Sequence, residues 1–254
     1  IATLVARVVE LLFVVISAHL LKDTFFKGVY RSFRIPLCLV KDLVIKGMPL
    51  LLNEALWSAG VTALNQSYSM RGLSVVTAIN IMSTISNMFN FVFISLGSAI
   101  AIVVGKQLGA SKFEEAKDSA NKLIAFSTFS CVVMSILMIL ASRFFVDFYK
   151  TSDSIKELAF VFIVICAVAM PFDAFNHGCY FTLRSGGKTF ITFLFDSAFS
   201  WLISIPVAQL LVRLTDLEIE PLFAICTSLC LIKCIIGFIL VKKGIWVQNM
   251  VNKS

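Results

Sequence analysis

The chain has 254 residues, of which 59% are hydrophobic and 15% charged, and its mean hydropathy is +0.92. Values this apolar exclude an ordinary soluble domain and predict an all-α fold, a polytopic bundle of membrane helices. The net charge of +7 does not call for a nucleic-acid partner, because the basic residues flank apolar runs, as the positive-inside bias of membrane proteins requires.

Hydrophobic runs predict seven helices, at roughly 1–21, 44–69, 76–106, 117–143, 155–183, 189–214 and 220–242. The chain opens directly on "IATLVARVVELLFVVISAHL", an apolar helix with neither Met nor a polar leader, so it is expected to be a piece of a longer protein. In that helix Arg7 and Glu10 lie almost one turn apart and are expected to pair. The connection that follows, "KDTFFKGVYRSFRIPLCLVKD", carries Lys22, Lys27, Arg31, Arg34 and Lys41 and reads as a linker between two bundles. "ASKFEEAKDSANK" mixes both signs and reads as a solvated face at the start of the fourth helix. On alternate sides of the seven helices, Lys and Arg number fifteen against five, which predicts a cytoplasmic linker and C-terminus.

Three predicted helices carry polar stripes. Glu54, Ser58 and Asn65 share a narrow arc at 100° per residue, with Gly47 on the same side. Asn80, Ser83, Asn87 and Asn90 share a face of the next helix. Asp173, His177, Tyr180 and Arg184 share one in the fifth, with Asn176 beside them. Such stripes are costly against lipid, so they are expected to face one another or water. Glu54 and Asp173 are the foremost functional carboxylates on this reading. Pro171 frees the carbonyl of Ala167 and lies two residues from Asp173, and a loosened backbone beside a carboxylate suits a cation or proton site. Asp196, in "LFDSAFSW", lies nearer a helix end. Lys233 is expected to snorkel toward the interface. Seven cysteines are present. Cys226, Cys230 and Cys234 fall at i, i+4, i+8 without His, acid or CxxC spacing, which reads as helix packing rather than a metal site. An enzyme is not expected: the chain has only His19 and His177, too few for a His-based metal triad, and no HExxH or nucleophile elbow.

Several segments together resemble the multidrug and toxic compound extrusion (MATE) transporters. "GSAIAIVVGKQLGASKFEEAKDSA" resembles a helix-and-loop signature of that family through Gly97, Gly105, Gln107, Leu108, Gly109, Ala110 and Ala116. "KGMPLLLNEALWSAG" is similar to its seventh helix, with Gly47, Pro49, Glu54 and Gly60 matching. "FDAFNHGCYFTLRSGGKT" is similar to its tenth helix and the loop after it, with Asp173, Arg184, Gly187 and Thr189 matching. "FDSAFSWLISIP" and "GIWVQN" also fit.

The resemblance implies twelve helices in two six-helix lobes. Residues 1–21 would then be the last helix of an N-terminal lobe otherwise missing, 22–43 the cytoplasmic interlobe linker, and 44–254 the C-terminal six-helix lobe. It further implies a multi-pass protein of the cell membrane that exports organic cations by antiport with Na⁺ or H⁺. In some members a glutamate and an aspartate at the positions of Glu54 and Asp173 hold a cation, so Na⁺ is a candidate there. Asn65, Asn87, Asn176, His177, Tyr180 and Asp196 would complete the binding surface. No cofactor is expected beyond the coupling ion. The expected partners are an organic cation, the lipid bilayer and the N-terminal lobe of the same chain. A lipid-linked oligosaccharide flippase of the same superfamily and a non-transporting membrane scaffold are the alternatives; the first would want more basic than acidic residues in its spans, and the second would not need three polar stripes.

Overall fold

A computed structural model describes residues 2–20 and 36–248. Each predicted helix is found, and most run a few residues longer than their apolar cores. In chain order they are α1 (Ala2–Leu20), α2 (Leu37–Ser69), α3 (Leu73–Gly109), α4 (Phe113–Asp147) and α5 (Asp153–Ser185). Then follow α6 (Thr189–Phe193), α7 (Ile205–Leu214), α8 (Ile219–Ser228) and α9 (Cys230–Lys242). The last four make two spans. Between α6 and α7 the chain winds through two π-helical segments, Leu194–Ala198 and Ser200–Ser204, so Thr189–Leu214 is continuous. α8 and α9 meet at Leu229 within Ile219–Lys242. Among the described residues, five helices are long and apolar enough to cross a membrane: α3, α4, α5, α6–α7 and α8–α9.

Two expectations about the linker meet different fates. Lys22, Lys27, Arg31 and Arg34, together with Lys253 at the C-terminus, lie outside the described residues. The end of the expected linker is helical, because α2 already begins at Leu37, so Cys38 and Lys41 belong to it. Charged residues here extend the helix beyond its apolar stretch, which hydropathy alone does not register. The chain divides into two compact units, Ile1–Gly47 and Met48–Ser254. In the first, α1 is exposed at residues 4–16, and its Arg7 Nη1 donates to Glu10 Oε2 at 2.7 Å as expected.

In the second unit α5 is the central post, packed against α3, α4, α8 and α9. Several of its core-facing positions are small: Ala159, Ala167, Ala174 and Gly178 are buried. Lipid supplies no hydrophobic drive between helices, so close backbone approach must supply the packing, and small residues permit it. The apolar core is strongest at the two ends of the bundle. Tyr68, Met82, Phe162, Leu222 and Phe223 fill the end where α2 meets α3. Ile100, Val104, Leu183, Phe195 and Trp246 fill the end where α3 meets α4. Pro171 does not break α5, and the Ala167 carbonyl it frees accepts a hydrogen bond from the Ser135 hydroxyl of α4. That carbonyl therefore ties two helices together and is not left as a spare ligand.

The glycine-rich segments have packing reasons. A Cβ on Gly97 would stand 2.5 Å from the Phe181 ring, and one on Gly186 would stand 2.0 Å from the Trp246 carbonyl oxygen. The second clash is with backbone, because the segment after α9 folds back over the end of α5, where Gln248 Nε2 donates to the Gly186 carbonyl at 2.6 Å. Trp246 is held by its own Nε1–H bond to the Val241 carbonyl at 3.0 Å and cannot retreat. Gly186→Ala is expected to lose about 1–3 kcal/mol of stability, seen as a Tm lower by several degrees in detergent. Gly105→Ala, where nothing lies within 4 Å, is expected to leave Tm unchanged or higher. Equal melting of both variants would contradict this packing.

Candidate functional site

The helices bring one polar cluster together inside the bundle. Lys233 of α9 donates to Asp196 at 2.6 Å, and about a fifth of each side chain is exposed. Asn53 of α2 is buried, and its Nδ2 donates to the Tyr180 hydroxyl at 3.2 Å and lies 3.5 Å from the other oxygen of Asp196. The Ser197 hydroxyl lies 2.7 Å from Asn53 Oδ1 and 3.0 Å from the Asn53 carbonyl. Four elements, α2, α5, the first π-helical segment and α9, are thus joined by side chains whose polar atoms satisfy one another. Asp196 and Lys233 each lie about 10–14 Å from the helix ends at Thr189 and Lys242, at 1.5 Å per residue.

Local sequence explains the geometry. The π-helical turn adds a residue to the helix, which rotates the face it presents. Asp196 and Ser197 both come to bear on Asn53, although adjacent positions on a regular helix diverge by 100°. The same divergence separates Asn53 from Glu54. With Asn53 turned into the cluster, Glu54 is exposed, as are Ser58 and Asn65 on its arc. Glu54 still lies within Coulombic reach of Tyr180.

The other stripes divide similarly. Asn80 and Asn87 of α3 are exposed, while Ser83 and Asn90 are half-buried. Asn65 and Asn80 share a polar groove of about 370 Å³ between α2 and α3 with Thr62, Gln66 and Ser69. On α5 Asp173 is half-buried and has no hydrogen bond or ion pair with a described residue, though Lys233 lies within Coulombic reach. His177 rests against the Phe93 ring, centroids 4.8 Å apart, and its buried Nδ1 has no partner among the described residues. Asn176 points the other way, donating to the Cys230 carbonyl at 3.2 Å. Arg184 stands over the Phe181 ring at 5.9 Å. No hydrogen bond or ion pair joins Glu54 to Asp173.

Lys233 corrects the sequence reading: it does not snorkel, because Asp196 offers a closer counter-charge than the interface. Asn53 and Ser197 went unnoticed as site residues. The available signal was a polar pair, "NE" in α2 and "DS" in the sixth span, where hydropathy periodicity cannot say which member faces inward. Among the described residues, no group of three or more His, Cys, Asp or Glu side chains is placed to hold a metal.

Comparison with known proteins follows from this architecture. The MatE family model matches residues 49–210. A crystal structure of a MATE protein in complex with MaL6 superposes with TM-score 0.81 at 17% identity, over 95% of this chain and 55% of that one. The outward-facing form of a multidrug resistance MATE family transporter of the MOP superfamily gives 0.79 at 16% identity, over 96% and 56%. A MOP superfamily transporter from Pyrococcus furiosus Vc1 (DSM3638), described as having a binding pocket of reverse polarity, gives 0.70 at 16% identity, over 84% and 47%. The chain thus spans about half the length of these transporters. No curated protein matches it. The family match covers more than half of the chain, and the fold agrees with it: the chain belongs to the MATE family, whose members are transporters.

Proposed function

We propose that this chain is the C-terminal lobe, with its preceding helix and linker, of a cell-membrane antiporter that exports organic cations against inward Na⁺ or H⁺. The observation that carries the reading is an inequality among three acids. Asp196 already has a cation, Lys233, at 2.6 Å. Asp173 and Glu54 have no hydrogen bond or ion pair with any described residue. A carboxylate at membrane depth without a protein counter-charge is suited to a mobile one.

The mechanism is competition. A proton, or Na⁺ held with neighbouring oxygens, neutralises the carboxylate that an organic cation needs. If the coupling ion and the substrate favour opposite-facing states, each biases the equilibrium by its differential affinity, and rocking of the two lobes carries the exchange. Glu54 and Asp173 act as the charge switch. Asn65, Asn87, Asn176, His177 and Tyr180 supply polar and aromatic contacts around it. Asp196, paired with Lys233, shapes the site without taking up the cation. The end of the bundle bearing Lys106, Lys112, Lys188 and Lys242 faces the cytoplasm on this reading.

Cation efflux from proteoliposomes of the full-length transporter tests it, under an imposed Na⁺ or H⁺ gradient. Glu54→Gln keeps size and most hydrogen bonding but cannot ionise, and is expected to slow driven efflux by about tenfold or more, equivalent to at least ~1.4 kcal/mol of coupling. Asp173→Asn is expected to act alike, and the double variant to be little worse than either single one, because the two acids act as one unit. Efflux near the wild-type rate with Glu54→Gln under both gradients would overturn the proposal. No driven efflux by the wild type itself would favour the flippase or scaffold alternatives.

A further inference from the structure

A groove of about 1130 Å³ lies between α4, α5 and the end of α9, and none of the residues of the polar cluster lines it. Its lining combines the small side chains of Ala125, Thr128 and Cys179 with the larger apolar ones of Phe129, Val132 and Phe238. Phe129 is 69% exposed and Phe238 54%, so neither is consumed by packing within the chain. Along α4 the lining runs from Lys117 to Val132, about 22 Å at helical rise. That length covers half of a hydrocarbon core about 30 Å thick, with some headgroup region to spare.

The mouth of this groove is basic. Lys242 and Lys243 line it, both exposed and neither in an ion pair with a described residue, and Lys242 Nζ lies 5.6 Å from the centre of the Phe238 ring. Lys117 joins them; its 2.8 Å contact with Glu114 is an exposed pair, with side chains 44% and 87% accessible, of the kind that exchanges partners readily. Asn121, one turn deeper on α4, offers an exposed amide that makes no hydrogen bond with a described residue. Trp246 closes the end of the groove, fixed by its bond to the Val241 carbonyl. An apolar trough one acyl chain long, with cations at headgroup level, has the chemistry of an amphiphilic anion held at a membrane surface.

We propose that this groove is a binding site for an anionic glycerophospholipid, with one acyl chain lying along Phe129, Val132 and Phe238 and the phosphate held by Lys242 and Lys243. The site is separate from the cation cluster. It ties α9 to α4 through a lipid, at an end of the bundle where protein contact between them is sparse.

Native mass spectrometry of the full protein in mild detergent tests this, titrated separately with phosphatidylglycerol and phosphatidylcholine. Phosphatidylglycerol is expected to bind at least about fivefold more tightly than phosphatidylcholine, since each lysine near the phosphate contributes roughly that factor. Lys242→Gln with Lys243→Gln is expected to remove about 25-fold of that affinity. Ala125→Phe, which fills the trough and leaves the charge unchanged, is expected to abolish the tight binding while Tm is maintained. Equal affinity for the two lipids would overturn the proposal, as would phosphatidylglycerol binding unaffected by either the charge or the filling variant. Competition by soluble glycerol phosphate as effective as by the lipid would also overturn it, by assigning the mouth to a free phosphate.

Discussion

Lys233 and Asp196 sit 2.6 Å apart between helices that would otherwise meet only through apolar surface. In water such a contact would matter little. At membrane depth an unpaired charge is expensive, and removing one partner of a buried ion pair costs about 3–5 kcal/mol; partial exposure here puts the figure toward the lower end. The constraint propagates. Asp196 is brought to its position by the π-helical turn of its own span, its second oxygen meets Asn53, and Asn53 in turn reaches Tyr180 and Ser197. The rotational setting of α2 therefore follows from the need to satisfy polar groups that lipid cannot. The same rule applied to the backbone sends the Ser135 hydroxyl to the carbonyl that Pro171 frees.

Fixing α2 in this way exposes Glu54. On the regular helix of α2, without the π-helical turn that lets Asp196 and Ser197 share the cluster, Asn53 and Glu54 cannot both face it, and the uncharged one does. Asp196, the carboxylate with a protein counter-charge in contact, joins helices, while Glu54 and Asp173 make no hydrogen bond or ion pair with a described residue and are the acids on which the proposed exchange draws. Gly97 and Gly186 belong to the structural part, since each gives its space to an aromatic residue or to the backbone of another segment.

Much of this was legible in the sequence. Helix number and order follow from apolar runs of bilayer length, and two of the signature glycines, Gly60 and Gly97, prove to lie against Trp201 and Phe181 of other helices. The Arg7–Glu10 pair followed from spacing alone. Less legible was anything that depends on rotation about a helix axis. Periodicity grouped Glu54 with Ser58 and Asn65 correctly as one face but gave no sign that Asn53 would claim the interior. The π-helical turn around Asp196 has no hydropathy signature. Lys233 looked free to snorkel because its partner lies 37 residues away on another span, and pairing across helices is a property of packing. The helical start of α2 at Leu37 was hidden for a simpler reason: charged residues at a helix end read as linker.

Lys233 and Asp196 act as one structural unit, and a double-mutant cycle on the melting of the full-length protein in detergent measures that. Asp196→Asn alone and Lys233→Met alone each leave one charge without a partner and are expected to cost about 3 kcal/mol. The double variant leaves none and is expected to recover most of the loss, giving a coupling of about 2 kcal/mol or more. Single variants that melt with the wild type, or losses that simply add in the double variant, would contradict it.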